Sequence, residues 1–269
     1  TAHHIITDLR SNELICDSIG KLYNAGENVD VSASSGITYS QFAEWEREWR
    51  HPDKYLDEVS FWKKKLGDEH DVLDLPLDRP RPPYRSFNGN AVPCNVPEEI
   101  YREIQQLIKD PSINSFILLL TVYIALHYRY TGQDRIVIGV PFANRRKNSF
   151  KNTIGCFVNT IPIAVSVSDT TTFNELLAQT KSAVFEAHRH QEMPTEEILK
   201  ALPVTINPAY NPLYQTGFTL NSPVNFVLDG LAIEPLFFHQ GGSQLDFFVY
   251  MWECTGSIKG LLSYNTDIF

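Results

Sequence analysis

The sequence predicts an α/β protein with mixed strand pairing. Two patterns carry that class. Runs with apolar residues at helical spacing, such as Leu14, Ile15, Ile19 and Leu22, occur between β-branched runs such as residues 135–140. The alternation is irregular, unlike the strict strand–helix repeat of an all-parallel sheet. A chain of 269 residues that is 43% hydrophobic can bury a sizeable core, as one large domain or as two lobes.

The elements follow in order. Residues 11–24 read as a helix that Gly26 ends. Residues 29–35 are short, polar and β-prone. A helix over 38–50 places Phe42, Trp45 and Trp49 on one face, and one over 57–66 turns Phe61 and Trp62 inward. These tryptophans read as core rather than as platforms for a cofactor. The stretch Asp78-Arg-Pro-Arg-Pro-Pro-Tyr is the clearest linker, because its prolines hold the chain extended and forbid a helix. The lobe boundary is therefore expected at residue 80, giving segments 1–80 and 81–269. Beyond it come a strand over 90–96 and a helix from Pro97 through 108. A mostly apolar helix over 114–130 and a buried strand over 135–140 follow. Residues 160–167 read as a strand, 173–188 as a helix and 196–202 as a short helix. Four strand-like runs close the chain, over 217–220, 231–238, 245–252 and 258–264.

Charge and composition exclude several functions. The net charge is −9, so phosphate-rich partners would be repelled and neither nucleic acid nor a membrane surface is an expected partner. Local basic patches remain conceivable, for instance around Arg145, Arg146 and Lys147. Cys16, Cys94, Cys156 and Cys254 occur singly, without a CxxC pair, which argues against zinc and reads as reduced, buried thiols in a cytoplasmic protein. No apolar run reaches a membrane span; the longest, 116–128, contains His127 and fits a buried helix. With no signal peptide and no initiator Met, the chain reads as a piece of a longer polypeptide.

The sharpest local feature is His3-His4-Ile-Ile-Thr-Asp8. Three uses are open. The pair could join a third ligand on a metal, although the spacing is not that of a helical metal pair. One histidine could act as a general base near neutral pH. Or both could be ordinary surface residues.

Four further segments accompany it. Taken together, His3-His4-Ile-Ile-Thr-Asp8 resembles the HHxxxDG motif of the condensation domains of nonribosomal peptide synthetases. The segment from Thr38 to Trp45 resembles YxDFAxW, and Ile154-Gly-Cys-Phe-Val-Asn-Thr160 resembles IGxFVNT. His190-Gln-Glu-Met-Pro194 resembles HQDxPFE, and Asn211-Pro-Leu-Tyr-Gln215 resembles SPLFQ. Any one segment is weak evidence; five in order, spanning essentially the whole chain, are strong.

The resemblance implies a chloramphenicol-acetyltransferase-like fold of two lobes forming a V. It implies a fragment that lacks the N-terminal part of the first lobe and the C-terminal helix. It implies formation of an amide bond between a donor acyl thioester and an acceptor aminoacyl thioester. Both would be delivered on the 4'-phosphopantetheine arms of carrier protein domains, beside an adenylation domain of the same synthetase, with no cofactor or metal bound directly. His4 would be catalytic, and His3, Asp8 and Arg145 would support it, Arg145 pairing with Asp8. Leu9, Asn159 and Asn221 would border the substrate channel.

Departures from the pattern keep rivals in view. Leu9 stands where the family has Gly, which is kept where φ is positive or backbone approaches closely. Thr195 replaces a Phe, and the Arg expected shortly before Asn211 is absent, the chain reading Asn207-Pro-Ala-Tyr there. These favour a non-catalytic platform that recruits a tailoring enzyme or carrier protein. An epimerisation domain shares the paired histidines, but the FVNT segment speaks against it. The FVNT and SPLFQ-like segments likewise speak against a free-standing CoA-dependent acyltransferase.

Overall fold

The computed structural model describes residues 2–26, 37–49, 52–67, 72–108, 111–224, 226–236 and 238–269. The expected run at 29–35 lies outside them. The described chain forms helices α1 (Leu9–Ala25), α2 (Tyr39–Trp49), α3 (Pro52–Leu66), α4 (Glu98–Leu107), α5 (Ser115–Thr131), α6 (Phe173–Arg189) and α7 (Thr195–Ala201). Its strands are β1 (Gly89–Pro93), β2 (Arg135–Phe142), β3 (Asn159–Ser166), β4 (Thr216–Asn221), β5 (Phe247–Cys254) and β6 (Ser257–Asn265). The expected α/β class holds, and the element order follows the periodicities closely.

Local chemistry sets the helix ends. Asp8 caps α1 by accepting from Ser11 N, and Gly26, at φ 66°, ends it. Asn114 caps α5, and Thr172 and Glu175 form a reciprocal capping box on α6. Pro97 and Pro194 precede α4 and α7, where a missing N–H costs little.

The chain divides into two compact units. The first comprises residues 1–58, 143–159 and 223–237; the second comprises 59–142, 160–222 and 238–269. The division does not fall at the proline-rich run, and the reason is local. The backbone N–H groups of Asp78 and Arg79 donate to Ile268 O, and the Arg79 side chain reaches Thr266 O and Phe269 O. Arg81 forks onto Asp246 at 2.7 and 2.5 Å. An extended proline-rich segment can therefore lie along a sheet end as well as link two bodies.

The second unit is built on one six-stranded sheet in the order β1-β6-β5-β4-β2-β3. The pairs β1–β6 and β6–β5 are antiparallel, while β5–β4 and β4–β2 are parallel. Helix α5 packs on β2, β4 and α6; its Ile117, Leu120 and Ile124 are buried, as are Ile136, Ile138 and Phe218 of the strands. Trp62 and Leu66 of α3 are fully buried in this unit. The first unit carries a smaller core of Phe42, Phe150 and Phe157, with Ile37 and Trp45 packed against it.

Two expectations are corrected. The described part of 231–238 has no regular structure; Leu231, Leu236 and Phe238 are exposed, and a β-prone run without a neighbouring strand has no ladder to join. The four cysteines are free but half-buried rather than buried. No helix among the described residues is long and apolar enough to cross a membrane.

Candidate active site

The chemistry-bearing residues of the first unit gather where the start of α1 meets residues 145–157. Asp8 is the anchor. Its Oδ1 accepts from Ser11 N and lies 2.8 Å from Ser11 Oγ, and its Oδ2 accepts from Phe157 N at 3.1 Å. Arg145 Nη2 donates to both carboxylate oxygens, at 2.8 and 3.0 Å, across 137 residues of sequence. Both side chains are 5% exposed, so the charges stand in a medium that screens them poorly. The helix N-terminus adds a favourable field for the carboxylate.

Arg145 does more than neutralise Asp8. Its Nη1 donates to Phe150 O at 2.8 Å and Thr153 O at 2.6 Å, and its guanidinium lies 3.9 Å from the centre of the Phe157 ring. Ser11 Oγ accepts from Gly155 N and from Arg145 Nη2, while its one proton serves Asp8 or Gly155 O. One cation thereby ties α1 to the loop that bears Gly155, Cys156 and Phe157. Of the three residues of the envisaged basic patch, Arg145 is buried, whereas Arg146 and Lys147 are exposed, Lys147 lying over the Trp45 ring at 4.3 Å.

Gly155 is required by close approach. A Cβ there would overlap the Tyr39 ring, whose hydroxyl donates to Cys156 O at 2.7 Å. Tyr39 also meets Phe157 edge-on and lies 5.5 Å from Phe42, which links the aromatic core to the site loop. Burial pushes the Tyr39 hydroxyl above its ordinary range, with Cys156, Glu46 and Asp8 adding to the effect.

His3 and His4 lie on a short 3-10 turn (His4–Ile6). His3 Nδ1 accepts from Ile5 N at 3.1 Å, which makes it the cap of that turn. His4 is exposed, and its Nδ1 lies 3.6 Å from Cys156 Sγ. Burial raises the Cys156 thiol, Asp8 raises it further and Arg145 opposes both. The group is thus a thiol at neutral pH, able to donate weakly to Nδ1 or accept weakly from it. Acceptance by sulfur leaves Nε2 of a neutral His4 free to take a proton.

The remaining predicted positions fall as follows. Leu9 is the first residue of α1, is 39% exposed and has no positive φ. The positive φ for which glycine is kept is not found at position 9: Asp8 carries the non-helical geometry, and Leu9 is ordinary helix. Asn159 begins β3 and is half-buried. Asn221 ends β4 in the second unit, where its amide donates to Thr219 Oγ1 at 3.1 Å. Among the described residues, no three His, Cys, Asp or Glu side chains stand together as a metal site. Sequence reasoning missed Ser11, Tyr39 and Cys156. The signals were there in part: Ser11 sits three residues after the capping Asp8, and Cys156 is the variable position of the IGxFVNT-like segment.

Comparison with known proteins places this geometry in context. A family model described as Condensation domain matches residues 1–269. The chain is 33% identical to a linear gramicidin synthase of Brevibacillus parabrevis, over 99% of the chain and 5% of that protein. It is 31% identical to malpinin synthetase of Mortierella alpina, over 100% of the chain and 4% of that protein. It thus spans about a twentieth of the length of these relatives. Among solved structures, the X-domain from teicoplanin biosynthesis matches 100% of the chain with a TM-score of 0.86 at 22% identity, the chain covering 63% of it. The condensation domain from Monacolin K polyketide synthase matches 99% with a TM-score of 0.85 at 18% identity, again over 63% of that domain. At these identities the likeness is one of fold.

Proposed function

The chain belongs to the condensation domain family, and we propose that it forms amide bonds within a nonribosomal peptide synthetase. Condensation domains are acyltransferases. In this reading the substrates are a donor acyl thioester and an acceptor aminoacyl thioester, each presented on the phosphopantetheine arm of a carrier domain. An adenylation domain of the same synthetase would load the acceptor. The acceptor nitrogen bonds to the donor carbonyl carbon, the C–S bond breaks, and one thiol is released per amide formed. His4 takes the amine proton and returns it to the departing thiolate, a role open to an imidazole near neutral pH.

The observation that carries this reading is the position of His4. It stands exposed on a turn capped by His3 and based on the buried Asp8–Arg145 pair. Leu9 has no positive φ, which supports a catalytic reading over a degenerate platform.

The test is an intact-protein mass assay of the full-length protein with loaded donor and acceptor carrier proteins. Transfer of the donor acyl group to the acceptor carrier is expected, and His4→Ala should slow it by about 10²–10⁴-fold. A small loss would point to orientation of the amine rather than proton transfer. Absence of transfer in the unaltered protein, with carrier proteins still bound, would identify a recruitment platform. The fold is compatible with that outcome, since the X-domain from teicoplanin biosynthesis has been solved in complex with OxyB.

A further inference from the structure

The second unit contains ligand-binding chemistry that amide formation by His4 does not use. A half-open cavity of about 530 Å³ lies beside β4 and β5, within the range of small-molecule sites, about 300–1,000 Å³. Its apolar wall is formed by the rings of Tyr214 and Phe248. The sequence makes room for that wall by placing Gly217 on β4, since a Cβ there would stand 2.5 Å from the Phe248 ring. Asn211 and Gln244 contribute polar groups.

Arg85 is the one cation in the lining, and among the described residues no carboxylate accompanies it. Its guanidinium makes a single long hydrogen bond, Nη1 to Gln244 O at 3.4 Å, and its buried Nε has no acceptor. Arg81, four residues earlier, shows the alternative: it is forked onto Asp246 at 2.7 and 2.5 Å. A desolvated donor without an acceptor is costly, and a planar guanidinium is matched by a planar oxyanion. The wall behind it is also strained. Phe87, whose ring lies 5.1 Å from Arg85 Cζ, has a φ of 61°, a region a bulky residue occupies only when its surroundings impose it.

We propose that this cavity binds a small organic carboxylate with an apolar body. The carboxylate sits on the Arg85 fork and the body rests on Tyr214 and Phe248. One cation among neutral amides suits a monoanion better than a phosphate dianion, which would call for more positive charge. The proposal is independent of the condensation reading, because its test measures binding and not transfer.

The experiment titrates phenylacetate, its neutral isostere phenylacetamide and inorganic phosphate into the full chain, followed by amide chemical shifts and calorimetry. Phenylacetate is expected to bind with a Kd of about 1 mM or tighter, and phenylacetamide at least about tenfold more weakly. Arg85→Gln should reduce phenylacetate to the level of the amide without lowering the melting temperature. Equal binding of acid and amide, undiminished binding to Arg85→Gln, tighter binding of phosphate, or no binding of phenylacetate by about 10 mM each overturns the proposal. Should Arg85→Gln fail to fold, the contrast between acid and amide on the unaltered chain decides alone.

Discussion

Arg145 is buried and Arg85 is only half-buried, and their surroundings are opposite. Arg145 spends Nη1 and Nη2 on a carboxylate, a hydroxyl and backbone carbonyls, with an aromatic ring beneath. Arg85 has one long hydrogen bond, the Phe87 ring 5.1 Å away, and no carboxylate. Neither Nε has an acceptor, so that atom does not separate them; the counter-charge does. A cation with a resident anion is part of the scaffold, and removing it strands its partner. A cation that faces a cavity without one can be removed with little structural loss. The contrast is open to direct measurement.

The largest effect is expected from Arg145→Ala. It leaves Asp8 buried without its counter-ion, at a cost of about 3–5 kcal/mol, which lowers the melting temperature by on the order of 10 °C. Arg145→Lys should recover only part of this, because an ammonium cannot bridge the carboxylate and two carbonyls as a fork does. An unchanged melting temperature would show that the pair is not structural. Next comes Gly155→Ala, which forces a methyl group into the Tyr39 ring and should cost about 1–3 kcal/mol in chemical denaturation. A neutral outcome would mean that Tyr39 can withdraw and that Cys156 does not depend on it.

His127 offers a third way to bury a base. It is 4% exposed inside α5, its Nδ1 lies 2.8 Å from Tyr123 O, and burial lowers its pKa while that backbone contact opposes the shift. The unfolded chain takes up this proton near pH 6.5, but the folded core resists it until lower pH. More protons are then bound by the unfolded state, so stability should fall as the pH drops below about 6.5 and level off beneath the folded value. Denaturation curves of His127→Leu should lack that component; an identical pH slope in both proteins would remove His127 from the account. The smallest effect belongs to Arg85→Gln, expected within about 0.5 kcal/mol of the unaltered protein. A loss as large as that of Arg145→Ala would erase the distinction between the two arginines.

Some of this organisation was readable before any coordinates. Apolar spacing located α1, α5 and α6, and Gly26 marked the end of α1, because caps and periodicity act within a turn or two. The paired histidines stood out locally, but three uses stayed open until the accompanying segments were considered. The run at 231–238 misled because β-propensity reports a side chain's fit to a sheet and is silent on whether a partner strand is near. Proline content reports stiffness and is silent on partners: Arg79 and Arg81 bind the proline-rich run to residues near the chain's end.

By itself, the sequence determined the α/β class, nearly all the helices and strands, and the family. These depend on short-range periodicity, on capping chemistry and on motif order. Only the tertiary structure decided that Leu9 is ordinary helix, that Ser11 and Cys156 join the Asp8–Arg145 cluster, and that Arg85 borders a cavity without a carboxylate. Those outcomes rest on contacts between residues far apart in the chain, 144 positions for Ser11 and Gly155. At that separation neither propensity nor charge counting reports which acceptor a donor will find, because folding selects the partner by closing loops and excluding water.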